Sequence, residues 1–415
     1  MGEFRLDRRG FLQGTAAVAG ALTFGIGTAP AIAQSREINM IGWSNPRLAE
    51  LFGRAEKDIG IKINYDVLPA KWDDVMQKIT LWGQTGYDGL DVMFADDLIG
   101  GMWGMNGWAE DLSGISINTD DLVDNIKDLN NAAGGVYRLF FTLGAEPFMY
   151  NKDLVATPPT TWEEMIATAK SITKGDVWGW RPLGGNGHAF NTVLLMLNQA
   201  GADLESLSDP ASLTALQFMA DWVQTHKITP SSTVSEDNAA VEAIAAAGNA
   251  GMWWTYDGGT TGILGIEGSK ITKDNLGMAR WPKGPSSDIG LVHGWGYMQP
   301  KASKKKDEGR AVLEWLGQTS LIKEVDLIAN ATPPYKSLFT DPDYVAAMPQ
   351  LTAGVGWEEL IRGAKFREPI VNHRQVTQIW VMMEKLGGYV LSGEKSPADA
   401  QAWVMSEYQT IKDEA

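Results

Sequence analysis

Apolar positions between residues 38 and 97 switch repeatedly between two rhythms. Ile38 to Trp43 is a short apolar run closed by Ser44-Asn45-Pro46, which predicts a buried strand. Leu48, Leu51, Phe52 and Ala55 then stand at i, i+3, i+4 and i+7, one face of a helix, and Gly60 sits where its C-cap is expected. Ile61 to Val67 alternates apolar and polar residues, a strand pattern. A second helix is predicted from about Trp72 to Trp82, broken by Gly83, Gly86 and Gly89. Leu90 to Phe94 is a compact apolar strand running into Ala95-Asp96-Asp97. This β-α-β-α-β order predicts an α/β fold, mainly parallel, with helices on both faces of the sheet.

The stretch from Leu143 to Met165 interrupts that alternation. An apolar run from Val136 to Leu143 gives way to Gly144, Glu146 and Pro147, then to Phe148-Met149-Tyr150 and a polar turn. Pro158-Pro159 stops the chain, and Thr161 with Glu164 has the spacing of a capping box at a helix start. Such a segment is either an ordinary connection or the strand by which the chain leaves one lobe for another. The alternation then resumes. Trp162, Met165, Ile166, Ala169 and Ile172 share a helix face, Phe190 to Leu197 is helical, and Asp209-Pro210 opens a further helix. Ala239 to Ala247 is helical, Gly251 to Tyr256 and Val292 to Met298 read as strands, and Trp178 to Pro182 is a poor buried strand. Trp162, Trp222 and Trp315 fall on apolar helix faces and are assigned to the core.

The full chain has 415 residues, too many for one compact core, so two domains are expected. Residues 1–33 read as an export signal. Arg8-Arg9 precedes Gly10-Phe11-Leu12 and a weakly apolar run, and Ala31-Ile32-Ala33 is an A-x-A cleavage site. The pattern is of the twin-arginine type, although Asp7 and Gln13 depart from it. The expected home is the periplasm, with no lipid anchor, because the chain has no Cys to carry one. The absence of Cys also excludes disulfides, thiolate metal sites and Cys nucleophiles. With 51 acidic against 35 basic residues, the surface is expected to repel nucleic acid. No metal, cofactor or catalytic motif stands out.

In open α/β sheets ligands gather beyond the carboxyl ends of strands. That rule selects Trp43, Ser44 and Asn45 after the first strand, Asp96 and Asp97 after the third, and Glu146 at the crossover. Later in the chain it selects Tyr256, Asp257, Gly294 and Trp295, and His188 in a Gly-rich loop is a further candidate. Of the neighbours Trp253 and Trp254, strand alternation puts one in the core, and Trp254 is favoured for the site. Carboxylates each accept two hydroxyl hydrogen bonds, and aromatic faces cover the C–H face of a sugar ring. The chemistry suits a polyol-rich ligand. Two alternatives use the same residues: an exported carbohydrate-acting enzyme with paired carboxylates, and a binder of polyamines or other cations.

Several ordered motifs resemble the extracellular solute-binding proteins of ABC importers, family 1, in the maltose-binding-protein-like, carbohydrate-binding branch. They are Ala55 to Ile63, Leu90 to Asp97, and Tyr150-Asn151-Lys152-Asp153-Leu154 followed by Pro159 and Thr161 to Glu164. Gly294-Trp295-Gly296 before Pro300-Lys301, and Pro333-Pro334-Tyr335, complete the set. The resemblance implies a two-lobed periplasmic-binding-protein fold with a hinge between the lobes. One lobe would comprise 36–143 and 297–343, the other 147–293 and 345–415. It also implies ligand contacts near Trp72 and at a helix start near His373-Arg374. The implied protein is a monomer and not an enzyme. It needs no cofactor, binds a carbohydrate or polyol between its lobes, and delivers it to membrane permease subunits. Glu146 would then lie at the cleft floor.

Overall fold

The computed structural model describes residues 36–123, 131–132, 134–185, 187–256, 258–348, 364–365, 367 and 370–414. The export segment and Asp257 lie outside the described residues. In chain order the strands are β1 (Arg36–Gly42), β2 (Ile61–Val67), β3 (Val92–Asp96), β4 (Asn131–Ala132), β5 (Gly135–Val136) and β6 (Leu139–Ala145). They continue with β7 (Phe148–Asn151), β8 (Trp178–Arg181), β9 (Ala250–Trp254), β10 (Leu276–Ala279), β11 (Gly290–Met298) and β12 (Ala364–Lys365).

Two principal sheets share these strands. The first runs β12-β11-β3-β1-β2, with β6 also paired to β11; the second runs β10-β7-β9-β8. The β-α-β units read from the sequence are parallel, β1 with β2 and β3, and so is the pair β8 with β9. Near the passages between sheets antiparallel pairs appear, although β11 is parallel to β12. β11 runs against β3 and β6, and β7 against β9 and β10. β6 ends at Ala145 in the first sheet and β7 begins at Phe148 in the second. The chain therefore changes sheets across Glu146-Pro147. It has returned by Gly290, since β11 belongs to the first sheet throughout, and the sequence-based passage between 293 and 297 falls inside that strand.

Local chemistry explains most boundaries. Asn45 caps the helix Pro46–Gly53, its Oδ1 accepting from Arg47 N at 3.0 Å, and Leu48, Leu51 and Phe52 are buried as the spacing requires. Thr161 Oγ1 accepts from Glu164 N at 3.2 Å at the start of the helix Trp162–Ile172. The reciprocal arm is displaced by one residue, because Glu164 Oε2 accepts from Thr160 N at 2.8 Å. Gly83 does not break its helix. The helix runs Trp72–Thr85, and Gly83 is where the Trp108 ring packs against the backbone; a Cβ there would meet the ring at 2.2 Å. The helix ends at Gly86, whose φ of 64° favours glycine. At Gly296 the register of β11 against β6 shifts, and a Cβ would lie 1.9 Å from Leu139 O.

Trp178 to Arg181 is a strand after all. Its partner β9 buries Trp180 completely, and the Arg181 guanidinium is accommodated by Glu236, 2.5 Å away. An arginine is costly in a buried strand unless its charge is met, and here a tertiary ion pair meets it. Trp180 also packs edge-on to Trp222 and Trp281 and face to face with Phe148. Truncating such a ring costs about 3–5 kcal/mol. Trp162, Trp222 and Trp315 are buried. Among the described residues no helix is long and apolar enough to cross a membrane.

Candidate ligand-binding site

A cavity of about 740 Å³ lies between the carboxyl-end loops of the two sheets. From the first sheet come Trp43 after β1, Phe94 and Asp96 on β3, and His293 and Trp295 on β11. From the side of the second come Gly187 and His188 before the helix Ala189–Ala200, and Tyr256 after β9. Asp237 contributes from the start of the helix Asn238–Ala246, and Trp380 from the helix Val376–Ser392.

One wall is aromatic. Trp43 stacks on Trp72 with centroids 5.9 Å apart and meets Phe94 edge-on at 5.0 Å. Phe94 continues to Trp295 at 6.1 Å, and Trp72 continues to Trp380 at 6.0 Å. The Trp72 Nε1 is buried and has no hydrogen-bond partner among the described residues, whereas Trp380 Nε1 donates to Asp73 Oδ1 at 3.3 Å.

Polar groups facing this wall are largely engaged with one another. His188 Nδ1 lies 2.9 Å from the Tyr256 hydroxyl, which also accepts from Asn191 Nδ2 at 3.1 Å. Burial pushes the His188 imidazole down to about 4, outweighing the carboxylates of Asp237 and Asp73, so it is neutral near pH 7. Burial likewise pushes His293 down to about 3. The neutral His188 imidazole carries a single ring proton, and its Nδ1 contact with the Tyr256 hydroxyl is compatible with that proton on either nitrogen. Burial raises the Tyr256 phenol, so it too stays protonated.

The strongest electrostatic feature is Arg367. Its NH2 donates to Asp96 Oδ2 at 2.8 Å and also to Asp97 Oδ1, while its Nε donates to Asp97 Oδ2 at 3.0 Å. Burial raises Asp96 to about 6 despite the guanidinium, with Asp97 adding to the rise. Burial works to lower Arg367, but the two aspartates and Glu146 together raise it, so it is always charged. Asp96 also caps the helix Asp97–Met105, its Oδ1 accepting from Ile99 N at 2.6 Å. The triad thus fixes a guanidinium at the cavity edge with most of its charge already met.

Of the residues selected from the sequence, the cavity brings together Trp43, Trp72, Asp96, His188, Tyr256 and Trp295. Others lie elsewhere. Ser44 is exposed, and the Asn45 side chain is spent on its helix cap. Asp97 is fully buried behind the lining, holding Arg367. Gly294 is buried in β11, with Phe140 packed where its Cβ would be. Arg374 is exposed, and its carbonyl accepts from Asn106 Nδ2 at 3.0 Å. Trp254 is not in the cavity. β9 is a central strand covered on both faces, so Trp253 and Trp254 are both buried. Trp254 Nε1 donates to Thr192 Oγ1 at 3.1 Å, and its ring backs Tyr256 edge-on. Glu146 is buried one layer down: His293 lines the cavity, and Glu146 Oε1 lies 3.9 Å from its Nδ1. Asp257 lies outside the described residues.

The family model for bacterial extracellular solute-binding proteins matches residues 43–320. The chain belongs to this family. The family is one of binding proteins, not of enzymes. This solute-binding protein is similar in fold to maltose-bound MalE3 of T. maritima, with 20% identity, a TM-score of 0.79, and 90% of this chain and 99% of that one covered. A ribitol-bound ABC transporter solute-binding protein from Agrobacterium radiobacter K84 matches at 20% identity and a TM-score of 0.78, covering 91% of this chain and 98% of that one. One from Agrobacterium vitis S4 with D-mannitol matches at 22% identity and 0.73, covering 91% and 99%. The fold is thus the two-lobed α/β fold of these proteins.

Sequence reading of this solute-binding protein missed Phe94, His293, Asp237, Arg367 and Trp380. Phe94 and His293 carried a usable signal. Each stands two residues before a selected one, Asp96 and Trp295, and so on the same face of the same strand. Arg367 had none, because its role depends on two aspartates 270 and 271 positions away in the chain.

Proposed function

We propose that this protein captures a neutral carbohydrate or polyol in the cavity between its lobes and hands it to the permease subunits of an ABC importer. The observation that carries this reading is the pairing of a continuous aromatic wall, Trp43-Phe94-Trp295 and Trp72-Trp380, with the neutral hydrogen-bonding groups of Tyr256 and His188 in the same lining. Rings cover the C–H face of a sugar, while Tyr256 and His188 serve hydroxyls. Similarly folded proteins hold maltose, ribitol and D-mannitol. In this proposal the lobes are built on the two sheets, 36–143 with 290–343 in one and 147–289 with most of 345–415 in the other, hinged at Glu146-Pro147. Ligand contacting both lobes favours the closed state. Residues 1–33 act as a twin-arginine export signal, and the exported protein works in the periplasm as a monomer.

A second reading keeps the site and changes the ligand to a cation. Asp73 and Asp237 add two carboxylates to the lining against Lys71, beside the paired Asp96 and Arg367. Intrinsic tryptophan fluorescence titrated with maltose, ribitol, D-mannitol, glucuronate and spermidine separates the readings. Saturable binding of a neutral sugar or polyol, with no product formed, is expected. Response to spermidine alone transfers the proposal to the cation, and turnover of a glycoside removes both.

A further inference from the structure

The helix Ala189–Ala200 starts at the edge of the cavity without a cap of its own. His188, at the N-cap position, makes no side-chain hydrogen bond to the helix. A helix start leaves N–H groups without intrahelical acceptors, and buried ones need partners from elsewhere. Here the acceptor comes from the helix Val376–Ser392. Glu384 Oε1 accepts from Phe190 N at 2.7 Å, and Oε2 accepts from Gly187 N at 3.1 Å. One turn earlier on the same helix, Trp380 stacks on the Phe190 ring with centroids 4.6 Å apart. Positions i and i+4 share a helix face, so one face holds both the backbone and the side chain of this helix start. Trp380 lines the cavity; Glu384 does not.

The segment held in this way carries Gly187 and His188, and His188 is tied to Tyr256. We propose that Glu384 is a positioning residue for the ligand site, its ionised carboxylate fixing Gly187–Phe190 and, through it, the His188–Tyr256 pair in the geometry that receives ligand. The ionised form grips most strongly because both oxygens face N–H donors. A glutamine turns an NH2 toward one of the two donors, and a protonated acid offers one of them only a weaker hydroxyl acceptor. Among the described residues, the other charged group acting on Glu384 is Asp73, from the helix Trp72–Thr85; His188 and Tyr256 are neutral near pH 7.

The group also titrates in a useful range. Burial raises Glu384 to about 7, against the two N–H bonds and with a contribution from Asp73. Acidification below that value removes the grip, so affinity falls. Stability moves the other way. A carboxylate whose folded value lies above its unfolded one binds protons more tightly when folded, so its contribution weakens as pH rises from about 4.5 to about 7. A purely structural carboxylate gives no such opposition between affinity and stability.

The first test needs no ligand. Amide shifts of Gly187 and Phe190 are followed against pH by NMR in the intact protein and in Glu384→Gln. Both amides are expected to move together with a midpoint near 7, and the step to vanish in the variant while the chain stays folded. A midpoint near 4.5, or no step, overturns the proposal. The second test rests on the carbohydrate reading. With whichever of maltose, ribitol and D-mannitol the wild type binds, Glu384→Gln is expected to weaken affinity about tenfold at pH 8, as loss of a charge-assisted hydrogen bond does. It should also flatten the pH dependence, with Glu384→Asp intermediate. Wild-type affinity in Glu384→Gln overturns the positioning role. Failure of the wild type to bind any of the three counts against the carbohydrate reading, and the amide titration still decides the role of Glu384.

Discussion

Arg367→Met tests how the cavity edge is held. The substitution keeps an unbranched apolar stem and removes a guanidinium that serves two carboxylates. Asp97 is fully buried and Asp96 is 4% exposed, so neither regains much water when Arg367 is lost. Removing one partner of a buried ion pair costs about 3–5 kcal/mol. Arg138 lowers the expectation within that range. Burial lowers Arg138 to about 10, but Asp97 and Asp96 raise it, so it still interacts with both after the substitution. A loss of about 3 kcal/mol at pH 7.5 is therefore expected. The assay is urea unfolding followed by tryptophan fluorescence at pH 7.5 and pH 5.

The pH dependence follows from Asp96. Its folded value of about 6 lies above its unfolded value of 3.8, so the wild type binds that proton more tightly when folded. Wild-type stability from this group falls as pH rises through that window. Arg367 acts to lower the Asp96 value. Its removal extends the window upward, so the deficit of the variant is largest above pH 7 and shrinks as pH falls below 6. Arg367→Lys is expected to restore part of the loss, since a point charge replaces a fork that bridges two carboxylates. A loss below about 1 kcal/mol at pH 7.5, or one equal at both pH values, refutes the assignment of the triad as a buried electrostatic unit.

Other substitutions separate roles within the site. Trp43→Ala is expected to weaken sugar or polyol affinity by about tenfold or more through lost ring contact. Trp254→Phe is expected to leave affinity unchanged while costing about 1–3 kcal/mol of stability, because a buried Thr192 hydroxyl loses its indole donor; calorimetric titration with thermal unfolding checks both. Glu146→Ala is expected to weaken binding through His293 while unfolding stays cooperative, and unchanged affinity would return Glu146 to a hinge carboxylate. Thr161→Ala is expected to cost about 1 kcal/mol in urea unfolding by deleting the cap on Glu164 N, with no effect on affinity.

Local rules went far in this chain. The i, i+3, i+4 spacing of Leu48, Leu51 and Phe52 placed a buried helix face, and the strand endings placed Trp43, Asp96 and Tyr256 around one cavity. These features depend on period and on chain direction, which are written residue by residue. What failed did so where a distant partner decides. Arg181 sits in a strand because Glu236 meets its charge, and Gly83 sits within a helix because Trp108 packs on it. Trp254 left the site because β9 is covered on both faces.

The stretch Leu143 to Met165 shows the division. Its strand, turn and capped helix were legible alone, and the resemblance to solute-binding proteins made it a passage between lobes. That Glu146 stands behind His293, rather than bare in the cavity, depends on β11 lying against β6, a pairing of residues about 150 positions apart. The same holds for Arg367 between Asp96 and Asp97, and for Glu384 on the amides of Gly187 and Phe190. Burial and long-range pairing set the charge and orientation of these groups, and neither is a property of neighbouring letters in the chain.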